Sequence, residues 1–436
     1  MNVLVVGSGG REHAFVEVLA RSQGIGRLLA APGNAGMAAQ AECIADVAAD
    51  DVPGLVRLAQ AQEVGLVVVG PEAPLVAGLV DALTAAGIPA LGPGKAAAQL
   101  EGSKAFCKDL CRKARIPTAA YKTFNNAAEA ISYCEQHDRW PSVVKADGLA
   151  AGKGVIIAKD AKVAIDAVRD MMLNNQFGTA GDRIVIEDFL EGEELSIIAL
   201  VDGETVAVLE PSRDHKAAFD GDTGPNTGGM GAFSPSKLLT RRIYEQIEER
   251  ILLPTVSALA REGSPYRGLL YAGLMLTEDG PYVLEYNVRG GDPEMEVLLP
   301  RLKSDALALF HAAATDTLTE FGEVEWRTDA ACGVVLADGN YPGPVTKGLA
   351  IHGTVEADAL DDVFVYHAGT RIDPETGYLV TNGGRVLCVT ALGKDLQAAR
   401  DRAYAAIRHI EFDGMRYRTD IGWRELESNP SEMAGT

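Results

Sequence analysis

Short apolar runs that open onto glycine turns dominate the first hundred residues. Asn2–Val6 (NVLVV) runs into GSGGREH, Gly7 to His13, and then into a helical run from Ala14 to Ala20. Leu28–Ala31 runs into PGNAG, Gly65–Val69 into GPEAPL, and Ile88–Leu91 into GPG. Strands alternating with helices predict a parallel sheet with its turns on one edge. Ligands of such sheets bind outside the carboxyl ends of the strands.

After Pro117 the pattern predicts a small α/β unit. Two apolar runs, Val143-Val144 and Val155-Ile156-Ile157, read as a hairpin. A helix near Asp160–Leu173 follows, then strands at Ile184–Glu187 and Leu195–Val201. Glu210 to Pro235 is long, polar and glycine-rich, and reads as a functional loop. A long helix is expected over Leu238–Glu262, then a hairpin of Leu269–Thr277 and Pro281–Tyr286. From about Trp326 the strands shorten, at Gly333–Ala337, Thr354, Val363–His367 and Arg385–Thr390, with a last helix near Leu396–His409. Nothing in that C-terminal part demands catalysis. There is no internal repeat.

Length and charge narrow the classes. A chain of 436 residues suggests two to four domains. A net charge of −21 argues against a nucleic-acid partner, because phosphates would be repelled. The six cysteines have neither metal-type nor disulfide-type spacing. No signal peptide and no apolar run of membrane length is present, so a reducing, cytoplasmic setting is expected.

Candidate chemistry lies in six places. Between the hairpin strands sit Gly148, Gly152 and Gly154 with Lys145 and Lys153. Free N–H groups in such a loop make a concavity for anions, so it is either a lid over a polyphosphate or a flexible surface loop. It is not a P-loop, since the spacing differs and it joins strand to strand. Gly7-x-Gly9 opens a nucleotide or phosphate site, but Glu12 holds the third glycine position of a dinucleotide fingerprint. Glu72 is a contact from the row of turns or an ordinary helix-start acid. Ser103 reads as an N-cap, which leaves Lys104 in a first helical turn, poorly placed for a cation unless a ligand needs it. The connector Glu187–Leu190 with the acids after it could read an adenine edge and ribose hydroxyls, or be a solvated turn. Glu285 and Asn287 are two apart on a strand and share a face, as does Arg289. A carboxylate and an amide oxygen suit Mg²⁺.

The order of these parts is more telling than any one of them. A lysine, a glycine loop after K-A-D, an E-x-F-L connector and E-x-N before an arginine resemble the ATP-grasp superfamily. GSGGREH, PGNAG, VGPEAPL, GPGKAAAQLEGSKAF, KADGLAAGKGV, DTGPNTGGMGAFSP, YAGLM, TNGGRVL and DIGW resemble the glycinamide ribonucleotide synthetase family, from Asn2 to about Trp423.

The resemblance implies a multidomain α/β and α+β fold. It places a Rossmann-like sugar-phosphate domain at 1–103 and an ATP-grasp domain at 104–325 with a mobile lid lobe at 118–190. A small α+β domain at 326–425 and a tail at 426–436 complete it. It implies ligation of glycine to phosphoribosylamine with ATP, through glycyl phosphate, in purine biosynthesis. Lys104, Lys145, Gly152, Lys153, Gly154, Glu187, Leu190 and Glu194 would bind ATP. Glu285 and Asn287 would hold Mg²⁺ or Mn²⁺. Gly9, Gly10, Arg11, Glu72, Asp214, His215, Lys216 and Arg289 would line the substrate side, with Arg289, Lys145 and Asp214 catalytic. A monomer without nucleic-acid or membrane partners is expected.

Two departures stand out. Where the family has N-C-R-F-G-D-P-E-T-Q, this chain has Gly290 for the aromatic and Glu296 for the last amide. Rival readings are an ATP-grasp ligase with another acceptor, a nicotinamide oxidoreductase, and a non-catalytic nucleotide binder. Lys145, Glu285 and Asn287 are all retained, which weighs against the last.

Overall fold

The computed structural model describes residues 1–150, 154–174 and 176–427. The N-terminal apolar runs form a five-stranded parallel sheet, ordered Glu42–Cys43, Leu28–Pro32, Asn2–Gly7, Val64–Val69, Ala90–Leu91. Asn2–Gly7 is central, with Val3 paired to Leu28 on one side and Leu66 on the other. Both faces of this strand are buried, which is why its apolar run is continuous rather than alternating.

Residues 121–188 form a separate antiparallel lobe. Its sheet is ordered Tyr121–Phe124, Ile184–Asp188, Ser142–Ala146, Val155–Ala158. The expected hairpin is present, with Val143 paired to Ile157 and Lys145 to Val155. The helices Ala127–Gln136 and Ala161–Met172 pack with it, and Phe124, Val144, Val168 and Ile186 belong to a core of its own.

A third sheet is ordered Val206–Val208, Glu193–Asp202, Arg267–Thr277, Gly280–Asn287, with antiparallel neighbours. It shares its cores with the N-terminal sheet. Leu4 and Val67 join Ile197 and Leu270 in one apolar cluster, and Val5 and Leu66 join Leu200 and Leu298 in another.

Three expectations change. Half of Glu210–Pro235 is strand: Arg213–Asp214, Ala217–Phe219, Thr223–Asn226 and Gly231–Ser234. None exceeds four residues, too short for a two-residue period to register. Two of them extend the C-terminal sheet, ordered Arg213–Asp214, Gly231–Ser234, Ala330–Asp338, Arg385–Gly393, Val363–His367. The long helix is split into Arg241–Ile247 and Leu253–Arg261 by a π-helical turn, Glu248–Leu252. Pro254 has no N–H to give, and its ring would crowd the Arg250 carbonyl four residues back, so the wider turn relieves it. Thr354 starts a short helix, Thr354–Asp358, rather than a strand. Among the described residues no helix is long and apolar enough to cross a membrane.

Candidate active site

The lobe, the third sheet and the carboxyl edge of the parallel sheet face one cleft of about 590 Å³. At the lobe end, Glu187 closes the strand Ile184–Asp188 and is 4% exposed. Lys108 Nζ lies 2.5 Å from its Oε2, and Lys145 pairs with its Oε1. Burial alone would raise the pKa of Glu187, but Lys145 and Lys108 outweigh it and hold the carboxyl below the usual range. Burial would lower Lys145, and Glu187 with Glu285 pushes it above its ordinary value instead. Lys145 also donates to the Leu284 carbonyl at 3.3 Å, which ties it to the strand Gly280–Asn287.

Ser103 caps the helix Lys104–Ala114 by accepting from the Phe106 N–H at 3.1 Å. Lys104, in that first turn, donates to the Gly148 carbonyl at 3.2 Å, and burial lowers its pKa. Gly154, Leu190 and Glu194 line the same end. Gly152 and Lys153 lie outside the described residues.

In the middle, Glu285 and Asn287 sit at alternate positions of Gly280–Asn287, and both line the cleft. Glu285 Oε1 is 4.0 Å from Lys216 Nζ, and its side chain is 39% exposed. Burial favours its neutral form, but Lys216, Lys145 and Lys104 hold it ionised, with its pKa lowered. Among the described residues no three acid, His or Cys groups converge on a closed metal cage. Mg²⁺ needs none: it keeps waters, takes one or two protein oxygens and bridges substrate phosphates. The Glu285–Asn287 pair fits that donor set. Asp214 is pushed up to about 7 by burial, with Glu294, Glu194 and Glu285 adding to the effect of burial against Lys216.

At the far end, Arg289 is held between two acids. Its Nε donates to Glu72 Oε2 at 3.2 Å and its Nη2 to Glu101 Oε1 at 2.9 Å. Glu101 also accepts the Val288 N–H at 2.7 Å, and burial pushes its pKa up to about 7. Gly9 and Arg11 line this end. Gly7-x-Gly9 was read as opening a nucleotide or phosphate site, and the carboxylate at the start of the first helix is the chain's own. Glu12 Oε2 accepts the Gly9 N–H at 2.6 Å, and Arg11 Nε donates to Glu12 Oε1 at 2.5 Å. Glycine at 70 leaves the room, since a Cβ there would lie 2.1 Å from Glu12 Oε1.

Two predicted residues stand back from the cleft. Gly10 backs onto Glu296. His215 is buried against Phe233 and accepts the Gly422 N–H at 3.2 Å; burial, then Arg418, lowers it to about 3. Other residues come to the cleft unforeseen. Lys108 is four residues after Lys104 on one helix, a spacing that was legible. Glu101 precedes Ser103 in the same segment. Arg385 and Tyr341 line the cleft from the C-terminal part, where the sequence showed nothing that demands catalysis.

A small antiparallel lobe facing a larger sheet, with lysines and an acid–amide pair lining the one cleft, defines an ATP-grasp enzyme. The phosphoribosylglycinamide synthetase N domain matches residues 1–101, its ATP-grasp (A) domain 102–295 and its C domain 331–424. The chain belongs to the phosphoribosylglycinamide synthetase family. It is 52% identical over 427 residues to a phosphoribosylamine–glycine ligase of Caulobacter vibrioides, covering 98% of this chain and 99% of that one. A ligase of the same name from Vibrio parahaemolyticus is 49% identical over 428 residues, with the same coverage. A crystal structure of phosphoribosylamine–glycine ligase from Thermotoga maritima superposes with a TM-score of 0.83 at 33% identity, covering 97% of this chain and 100% of that one.

Proposed function

We infer that the chain joins glycine to 5-phosphoribosylamine with ATP, releasing glycinamide ribonucleotide, ADP and phosphate. One observation carries the reading beyond the family likeness. Lys104 and Lys145 line one cleft together with Glu285, Asn287 and Arg289. That set is built for phosphoryl transfer by positioning and charge stabilisation.

Lys104 and Lys145 hold the phosphates of ATP, and Glu187 fixes Lys145. Leu190 and Glu194 hold adenosine, with Gly152, Lys153 and Gly154 in the loop above. Glu285 and Asn287 would hold Mg²⁺ or Mn²⁺, which would supply positive charge to offset that of the phosphates. Arg289, kept rigid by Glu72 and Glu101, holds the glycine carboxylate against the γ-phosphate. A carboxylate oxygen forms a bond to phosphorus, and ADP leaves. The amine of phosphoribosylamine then attacks the carbonyl carbon of glycyl phosphate, phosphate leaves, and the nitrogen gives up a proton. Asp214, poised near neutral pH beside Lys216, receives it. Gly9 and Arg11 bound the sugar-phosphate side, with Gly10 behind them. His215 acts from the core by fixing Asp214 and Lys216 beside it. A cytoplasmic setting fits six cysteines that are all free; the chain works as a monomer, which sedimentation would test.

Glycine labelled with oxygen-18 in its carboxylate tests the route. One label should appear in inorganic phosphate. Label in AMP, with pyrophosphate released, would mean an adenylate. Turnover with glycine and an amine other than phosphoribosylamine, at a higher kcat/KM, would point to another acceptor.

A further inference from the structure

Glu296 lies in the short helix Met295–Leu298 and is 1% exposed. It packs against Gly10, where a Cβ would come within 2.7 Å of its Oε1. Its Oε2 is buried and has no hydrogen-bond partner among the described residues. The charge that should accompany a buried carboxylate is committed elsewhere. Arg385 Nη1 lies 3.0 Å from Asp292 Oδ1, and donates to the Asp292 and Gly228 carbonyls at 2.8 and 2.7 Å.

The carboxyls of Glu296 and Asp292 come to neighbouring glycines of one turn: a Cβ on Gly10 would lie 2.7 Å from Glu296 Oε1, and one on Gly9 3.4 Å from Asp292 Oδ2. Two ionised carboxylates are acceptors only and would repel there, so a hydrogen bond between them requires a proton on one. Asp292 has Arg385 and Glu296 has no such partner, which puts the proton on Glu296. The other groups facing it bring no countercharge. On the C-terminal sheet, Cys388 and Tyr366 are neutral, both pushed well above their ordinary values by burial. On the first helix, Arg11 is paired with Glu12, and burial, then His367, lowers His13 to about 3.

We propose that Glu296 works as a neutral carboxylic acid that donates its proton to Asp292, and so positions the Asp292–Arg385 pair joining the C-terminal sheet to the Gly9 turn of the cleft. Burial and then Asp292 drive the Glu296 pKa well above the ordinary range, while Arg385 helps hold Asp292 below it. A glutamine at this position would supply the same donor through an N–H. The acid does it with a proton that titrates, so this chain gains an alkaline limit that an amide lacks. Glu296 is a positioning residue; that part of the inference rests on the ligase reading, whereas its charge state does not.

Infrared spectroscopy of the full chain tests the charge state directly. At pH 9, above the range where Asp214 and Glu101 titrate, the native protein should still show a protonated-carboxyl C=O stretch. Unfolding should abolish it. Absence of that band from the native protein overturns the proposal, whatever the variants do. E296Q should remove the band, and a band unchanged in E296Q assigns the proton elsewhere. A raised folded pKa gives stability that is full below the unfolded value and lost as pH rises, so E296Q should gain on the wild type with pH. Their unfolding midpoints should diverge by at least about 2 °C from pH 6 to pH 9. The ratio of kcat/KM for phosphoribosylamine, E296Q over wild type, should stay flat while the native band persists and climb only at the higher pH where the band is lost, and the amine's own chemistry cancels in that ratio. Parallel stability curves from pH 6 to pH 9 would overturn the proposal.

Discussion

The lobe at 121–188 and the rest of the molecule are joined by different physics. The N-terminal and third sheets share apolar clusters that run through Leu4, Val67, Ile197 and Leu270 without regard to domain boundaries. The lobe keeps its core to itself. Polar ties hold it to the body. One is Glu187 of the lobe with Lys108 of the body. Another is Asp147, which accepts the Ala105 N–H at 2.6 Å and the Ser103 hydroxyl at 3.1 Å, and is gripped by Arg183 at 2.5 Å. Apolar contact is non-directional and resists separation over its whole area. Ion pairs and hydrogen bonds lose their strength with small changes of distance and gain it back on return. A joint of the second kind suits a lobe that must admit and release a nucleotide.

The sharpest way to break that comparison is Glu187→Ala. It leaves Lys108 and Lys145 buried without their shared carboxylate, at a cost of about 3–5 kcal/mol. Denaturant unfolding should then show the lobe melting before the body. A single transition with a loss below about 1 kcal/mol would mean that apolar contact holds the lobe after all. Acid does the same reversibly. The folded pKa of Glu187 is depressed, so its contribution is present above the unfolded value of about 4.3 and lost as pH falls through the folded value. Amide exchange across 121–188 should rise below that pH in the wild type, and the rise should be blunted in the variant.

Glu285→Ala should separate chemistry from attachment. Glu285 belongs to the body side, lines the open cleft and takes no part in either tie. Loss of its charge should cut kcat by a factor on the order of 10²–10³, about 3–4 kcal/mol of barrier, with the unfolding of lobe and body unchanged. Near-normal turnover at ordinary Mg²⁺ concentrations would remove Glu285 from the metal pair.

What was legible in the sequence followed local rules. Glu285 and Asn287 share a strand face by their spacing, and Ser103 caps a helix by its position. The parallel sheet shows in apolar runs that end on glycine. What was hidden depends on partners distant in the chain. Lys108 carries a helical spacing from Lys104, but Glu187 lies far along the chain, and a resemblance that gave Glu187 to adenosine said nothing of two lysines. Arg385 opens the strand Arg385–Gly393 just after a glycine turn, and it reaches the cleft because the strand Gly231–Ser234 draws the C-terminal sheet alongside. Glu12 was read as a missing glycine; as the carboxylate that takes the Gly9 N–H it answers why a glycine is absent there.

The mildest probe of the comparison is Ser103→Ala. Its hydroxyl accepts the Phe106 N–H at 3.1 Å as an N-cap, accepts from Arg183 Nη2 at 3.0 Å, and donates to Asp147. Asp147 keeps the Ala105 N–H and Arg183 in the variant, so the tie itself survives. The expected loss is that of an N-cap, about 1 kcal/mol, felt at the start of the helix Lys104–Ala114. Lys104 rides in that first turn, so KM for ATP should rise while kcat holds. Hydrogen exchange should quicken at Phe106 and stay slow at Ala105. A loss above about 3 kcal/mol, with exchange rising through the whole lobe, would show that the hydroxyl is part of the joint and that the polar ties act as one cooperative unit rather than as separate contacts.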